Sequence, residues 1–204
     1  MVIQLEDIGK RFGMEWIFKG INFAFESDSA YAITGPNGSG KSTLLKIISL
    51  SMTPSKGNVR FIIPGHRNTD MDAMMREVAF AAPYISLVQD FTLAEMVAFH
   101  YSFRQMQVDD ADFWEISGLK THRNKIIRHF SSGMMQRLKL SLSILSKTPV
   151  LLLDEPASNL DKAATQWYLG LIHQFTSGRV VIIGSNQPEE YAFAKTGLHI
   201  PDYK

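Results

Sequence analysis

Gly35-Pro36-Asn37-Gly38-Ser39-Gly40-Lys41-Ser42-Thr43 is the stretch on which the reading of this chain turns. It fits the pattern G-x-x-x-x-G-K-[ST]; the apolar run Ala30-Tyr31-Ala32-Ile33-Thr34 leads in, and Leu44-Leu45-Lys46-Ile47-Ile48 leads out at helical spacing. Strand, loop, helix is the order that a phosphate-binding loop needs. Glycines at Gly35, Gly38 and Gly40 let the backbone curl with its N–H groups facing inward, where no Cβ blocks a phosphate oxygen. Pro36, Asn37 and Ser39 complete the cradle. A helix starting near Lys41 adds the positive end of its dipole, Lys41 can reach the terminal phosphates, the Ser42 hydroxyl can ligate Mg²⁺, and Thr43 can hold an inner phosphate.

Composition narrows the surroundings of this loop. A chain of 204 residues with 45% hydrophobic content suits one domain or one domain with an insertion. Lys plus Arg number 21 against 20 Asp plus Glu, so no basic footprint points to nucleic acid or to an anionic membrane surface. With no cysteine, a disulfide framework, a thiolate metal site and a cysteine nucleophile are all excluded. The start, Met1 to Asp7, has early acids and no apolar h-region, and no apolar run approaches the roughly 18 residues of a membrane span. The histidines His66, His100, His122, His129, His173 and His199 show no zinc spacing, and Trp16, Trp114 and Trp167 read as packing residues.

Along the chain, short strand-like runs Val2 to Leu5, Trp16 to Phe18 and Ile21 to Phe25 precede the loop and predict an antiparallel edge. Val59 to Ile63 and Val78 to Ala82 are further strand candidates, the second ended by Pro83. The texture then turns helical. Thr92 followed by Glu95 is a capping box opening an amphipathic helix, and a second short helix over Asp109 to Ser117 is closed by Gly118. Residues 84–130 thus read as a helical insertion. Alternation resumes with a helix from Ser131 to Ser146, a buried strand Val150 to Leu153, a helix from Lys162 to Phe175, a strand Val180 to Ile183 and a last helix opening at Pro188. That alternation predicts an α/β fold with a mostly parallel sheet flanked by helices.

Two further stretches carry chemistry. Leu151-Leu152-Leu153-Asp154-Glu155-Pro156 sets two carboxylates at the C-terminal end of a buried strand, where open α/β sheets bind ligands. Because neighbouring strand residues face opposite ways, Asp154 can hold Mg²⁺ while Glu155 meets an attacking water as general base. Phe130-Ser131-Ser132-Gly133-Met134-Met135-Gln136-Arg137 places small residues at a helix start, a second possible anion site that, taken alone, reads as an N-cap with a glycine. Met134 and Met135 by themselves are packing residues.

Together, in this order, these stretches resemble the nucleotide-binding subunit of an ATP-binding-cassette (ABC) ATPase, a P-loop NTPase family, over nearly the whole chain. Gly35 to Thr43 matches its Walker A motif, Leu151 to Glu155 its Walker B, Ser131 to Arg137 resembles its signature motif, and Ser158-Asn159-Leu160-Asp161 its D-loop. The resemblance implies a single ABC domain over 1–204, with 1–83 and 131–204 as catalytic core and 84–130 as the helical subdomain that meets a transmembrane partner. It further implies ATP and Mg²⁺ as ligands, Phe12 stacked on adenine, and Lys41 and Glu155 in catalysis. A second copy of the chain would pack head to tail as a homodimer. In that dimer Ser131 and Gly133 reach in trans to the γ-phosphate held by the partner, and Asp161 couples the two sites. The assembly would drive transport through separate transmembrane permease subunits, from a cytoplasmic position peripheral to the membrane; no nucleic-acid partner is expected.

Three positions depart from the family pattern. Tyr84 stands where a glutamine is usual, with Gln89 five residues on as a substitute; Asn186 replaces the histidine after the strand Val180 to Ile183; the signature starts Phe130-Ser131-Ser132, with one glycine fewer. Asn186 can still donate to a γ-phosphate but cannot carry a proton. Hydrolysis is therefore expected to be slow or dependent on a partner. A non-transport ATPase of the same fold and an ATP-binding switch with little hydrolysis remain as alternatives. A GTPase fits poorly, because Asn124-Lys125-Ile126-Ile127 lacks the guanine-reading aspartate. So does a small-molecule kinase, which has no use for the signature-like helix.

Overall fold

The computed structural model describes residues 1–63 and 71–204; His66 lies outside the described residues. In chain order the elements are β1 (Val2–Phe12), β2 (Glu15–Glu26), β3 (Ser29–Thr34), α1 (Lys41–Ile48), β4 (Lys56–Ile62), α2 (Met71–Arg76), β5 (Val78–Ala81), α3 (Leu93–Phe103), α4 (Asp110–Ser117), α5 (Ser132–Ile144), β6 (Val150–Asp154), α6 (Lys162–Phe175), β7 (Val180–Gly184), α7 (Pro188–Tyr191) and β8 (Thr196–His199). Short 3-10 turns cover Lys120–His122, Ile127–His129 and Ile200–Tyr203.

The chain divides into two compact units. The first comprises Met1–Phe80, Thr148–Glu155 and Gly178–Lys204. Its five-stranded sheet has the order β5-β6-β7-β3-β8, with β6, β7, β3 and β8 parallel. β6 and β7 are buried along their whole length, which explains their uninterrupted Val, Leu and Ile runs. The antiparallel strands expected before the loop form a sheet of their own, in the order β2-β1-β4, with β4 added on the far side of β1. Ile3, Leu5, Ile8, Phe18, Ile21 and Phe25 of this sheet share one core with Leu44, Leu45 and Ile48 of α1 and with Val150, Leu152, Val180 and Ile182.

Two of the short runs in the sequence are one strand. β2 is continuous across Gly20, at φ 74°, where a register shift opposite Ile8 and Lys10 breaks the alternation. β1 extends past Leu5 to Phe12 for the same reason: shifts between Leu5 and Ile8 put the later apolar residues out of phase. β8 was not expected. It carries a single buried residue, Leu198, with Thr196, Gly197 and His199 exposed, and a Cβ at Gly197 would fall 1.8 Å from the Ala32 carbonyl oxygen of β3, so no apolar alternation marks it.

The second unit comprises Ala81–Lys147 and Pro156–Ser177, so the stretch 84–130 lies there with α5 and α6. The predicted capping box is formed: Thr92 Oγ1 accepts from the Glu95 N–H at 3.2 Å, and the Glu95 carboxylate accepts from the Thr92 N–H at 2.7 Å. Asp109 caps α4, and Gly118 closes it at φ 65°. Leu93, Val97, Phe113, Trp114, Leu119, Ile127, Leu138, Leu142 and Leu145 make its core, with Phe130, Met134 and Met135 packed against it. Of the three tryptophans, Trp114 is buried and Trp167 donates to the Ile116 carbonyl at 2.7 Å, whereas Trp16 is 38% exposed beside the β1–β2 turn, under the Arg11 guanidinium.

Candidate nucleotide site

β3 ends at Thr34, and the loop that follows carries Gly35 at φ 140°, Gly38 at 77° and Gly40 at 114°. Gly40 sets its shape. A Cβ there would lie 2.6 Å from Ile17 Cγ2 and 3.0 Å from Phe18 Cδ1 of β2, so the backbone conformation and the close approach both demand glycine. α1 begins at the next residue. The buried Lys41 ammonium donates to the carbonyls of Gly35 at 2.9 Å and Pro36 at 3.2 Å, which holds it inside the curl of the loop at the start of α1. Charge and helix dipole thus favour an anion at the same place. The Ser39 hydroxyl is buried in the loop wall with no hydrogen-bond partner among the described residues, an arrangement that costs about 1–3 kcal/mol and that a ligand oxygen would relieve. Ser42 and Thr43, half-buried, form the first turn of α1.

Parallel pairing of β3, β6 and β7 brings three segments to one edge of the sheet: the glycine loop after β3, Asp154-Glu155 at the end of β6, and Ser185-Asn186-Gln187 after β7. Asp154, 1% exposed, pairs in register with Gly184, where a Cβ would meet the Asp154 Oδ1 at 3.1 Å. α1, with Ser42 in its first turn, packs on β6 and β7. A hydroxyl and a carboxylate are hard oxygen donors of the kind Mg²⁺ takes alongside phosphates and water, so the donor set fits that ion. No group of three or more His, Cys, Asp or Glu that could hold a metal occurs among the described residues.

The strand alternation expected to separate the two acids does not extend to Glu155. β6 ends at Asp154, and Glu155 is in the left-handed region at φ 45°, its N–H donating to the Gly184 carbonyl at 2.8 Å. Glu155 thus sits in a kink beyond the strand, with strain of order 1–3 kcal/mol held by the sheet. Asn186 lies at the loop: its amide donates to the Asn37 Oδ1 at 3.2 Å.

Phe12 ends β1, 53% exposed, with the Lys10 ammonium 5.3 Å from its ring centroid. Lys10 pairs across the strands with Phe18, which borders Gly40, and the register shifts between Lys10 and Arg11. Trp16 pairs with Arg11 and Phe12 with Glu15.

The remaining predicted residues are in the second unit. Ser131 caps α5, its hydroxyl accepting from the Met134 N–H at 3.2 Å. A Cβ at Gly133 would stand 3.2 Å from the carbonyl oxygen of Asn159, itself at φ 64°. Asp161 caps α6 by accepting from the Ala164 N–H at 2.7 Å. Gln136 donates to the Pro156 carbonyl at 2.7 Å, and Arg137 to that of Ser117 at 3.2 Å with its guanidinium 4.3 Å over Trp167. Tyr84 is 44% exposed, and the Gln89 amide donates to its neighbour, the Leu87 carbonyl. One residue escaped the sequence reading: buried Lys139 donates to the carbonyls of Ala82 at 3.2 Å and Pro83 at 2.7 Å, fixing the segment just before Tyr84. A lysine between Leu138 and Leu140 was its only signal.

Residues 18–158 match the family model described as ABC transporter. The chain belongs to this family. As such it is an ATP-binding ATPase cassette. It is 30% identical over 216 residues to the cytochrome c biogenesis ATP-binding export protein CcmA of Rhizobium meliloti, covering 96% of each chain. To the sulfate/thiosulfate import ATP-binding protein CysA of Mannheimia succiniciproducens it is 31% identical over 203 residues, covering 93% of this chain and 56% of that protein. The chain therefore spans little more than half the length of the CysA relatives. An ABC transporter ATP-binding protein from Pyrococcus furiosus superposes with a TM-score of 0.81 at 19% identity over 100% of both chains. A dimeric bacterial ABC transporter cassette does so with a TM-score of 0.82 at 21% identity, over 97% of this chain and 94% of that one. These two share its fold.

Proposed function

We propose that this chain binds Mg-ATP on the loop Gly35 to Thr43 and hydrolyses it in a head-to-tail homodimer, to drive transport through separate transmembrane subunits. The observation that carries the reading is the convergence at one sheet edge of Lys41, Asp154, Glu155 and the Asn186–Asn37 pair. Ser42 and Asp154 would hold Mg²⁺, which when bound neutralises phosphate charge. Lys41 and the loop N–H groups stabilise charge on the phosphates, Glu155 orients the attacking water and takes its proton, and Asn186 donates toward the γ-phosphate. Phe12 stacks on the base. Ser131 and Gly133 of the partner copy complete each site, with Asp161 linking the two, and the helical stretch 84–130 faces the membrane subunits at the cytoplasmic side.

The test is the solution mass of Glu155→Gln in Mg-ATP and in Mg-ADP, since loss of the base should trap the nucleotide sandwich. A dimer in Mg-ATP only is expected. A monomer in both, with ATP bound, would overturn the composite site. Purification from membranes with a polytopic partner is expected as well; recovery with soluble partners alone would contradict a transport role.

A second reading, an ATP-binding switch with little turnover, is favoured by Asn186, which is already hydrogen-bonded to Asn37 and carries no titratable proton. ATP binding without measurable phosphate release, with or without a partner, would select it.

A further inference from the structure

We propose that Lys10 is a positioning residue for the base, holding Phe12 as a stacking platform before nucleotide arrives. The proposal rests on the reading of Phe12 given above. Phe12 is the last residue of β1, 53% exposed, and among the described residues its ring contacts no other aromatic ring and no cation except Lys10. A phenylalanine placed this way would sample several rotamers, and stacking a base on it would have to freeze them.

Lys10 removes part of that freedom. Its ammonium stands over the ring, 5.3 Å from the centroid, and donates a 2.8 Å hydrogen bond to the Thr53 carbonyl. That carbonyl belongs to a turn fastened to β1: the Ser55 N–H donates to the Gly9 carbonyl at 2.8 Å, and the Arg11 N–H donates to the Ser55 hydroxyl at 3.1 Å. The cation is thus anchored at one end to rigid backbone. No carboxylate pairs with Lys10 among the described residues, so its attraction to the negative face of the ring is not spent on an ion pair. With Lys10 on one face of Phe12, the other is left for the base.

This arrangement makes a definite chemical statement. Every base offers a π-face, so the gain applies to adenine and guanine alike and is absent for a ligand with phosphates and no base. Lys10 therefore tightens nucleotide binding through preorganisation, without choosing the base and without touching the phosphates.

The experiment compares affinities for Mg-ATP, Mg-GTP and Mg-tripolyphosphate in the full chain carrying Lys10→Met, Lys10→Arg, Phe12→Ala or Lys10→Met with Phe12→Ala. Lys10→Met should weaken both nucleotides by about twofold to fivefold, the worth of an exposed cation–π contact, and leave tripolyphosphate unchanged. Lys10→Arg should retain wild-type affinity, and Lys10→Met should add nothing once Phe12 is alanine. Equal weakening of tripolyphosphate would overturn the proposal, because Lys10 would then act as a charge on the phosphates. Unchanged ATP affinity in Lys10→Met, with Phe12→Ala weakened, would overturn it while sparing the platform. Unchanged ATP affinity in Phe12→Ala would instead sink the platform reading itself, and the role of Lys10 with it.

Discussion

The side-chain amide of Asn186 donates to the Oδ1 of Asn37 at 3.2 Å, tying the end of β7 to the glycine loop that follows β3. One residue follows β7, the other is inside the glycine loop. Asn186→Ala should leave Mg-ATP affinity nearly unchanged and lower kcat about tenfold, the worth of one hydrogen bond made to the reacting phosphate. Asn186→His should make kcat pH-dependent with a midpoint near the usual histidine value of ~6.5. Steady-state phosphate release across pH 5.5–8.5 measures both, and a flat profile for the histidine variant would separate this position from the reaction.

Gly40 admits no side chain. With φ at 114° and a hypothetical Cβ 2.6 Å from Ile17 Cγ2, Gly40→Ala should cost about 1–3 kcal/mol in backbone strain, in addition to the displacement of β2 or of the loop. Urea denaturation should show a lowered midpoint, and calorimetric ATP binding should vanish. Retained affinity would mean that the loop reshapes without loss of its N–H cradle.

Lys139 bridges the carbonyls of Ala82 and Pro83 from within the second unit. Burial holds its ammonium below the ordinary lysine value, so the charge is costly and the two carbonyls are what offset it. Lys139→Met keeps the length and removes the donor; about 1–2 kcal/mol of stability should be lost, read as a shift in urea midpoint at unchanged slope. A midpoint equal to wild type would show that water replaces the ammonium at both carbonyls.

His100 gives the second unit an acid sensitivity. Burial, helped by the Arg104 charge, pushes its imidazole down to about 4, and its Nε2 is 3.0 Å from the Ser146 hydroxyl. The unfolded chain takes up this proton near pH 6.5, the folded one only near pH 4. Stability from this residue is therefore fully present above about pH 6.5 and falls as the pH drops toward 4, by roughly 2–3 kcal/mol. His100→Asn should flatten the difference in denaturation midpoint between pH 7 and pH 4.5; an unchanged difference would assign the acid sensitivity elsewhere.

Much of the fold was legible because local signals and tertiary demands coincide. α6 spans Lys162–Phe175 as read from the sequence, since its cap Asp161 and its apolar spacing are local. The same holds for the Thr92–Glu95 box, for Gly118, and for the glycines at 35, 38 and 40, each of which adopts the positive φ that the loop requires. β1 and β2 were legible only in fragments, because bulges at Gly20 and after Leu5 interrupt the period of two by which a strand is recognised.

The sequence by itself determined the phosphate loop, the paired acids, the helix starts other than that of α2, and the family, because each depends on residue types at short, fixed spacing. Tertiary structure alone decided what meets what. Strand order put Asp154 and Asn186 at the edge that holds the glycine loop, more than a hundred residues away in the chain, and a left-handed Glu155 ended β6 just after Asp154. Long-range pairing and backbone strain leave no local pattern, since both are set by neighbours that the chain supplies only after it has folded.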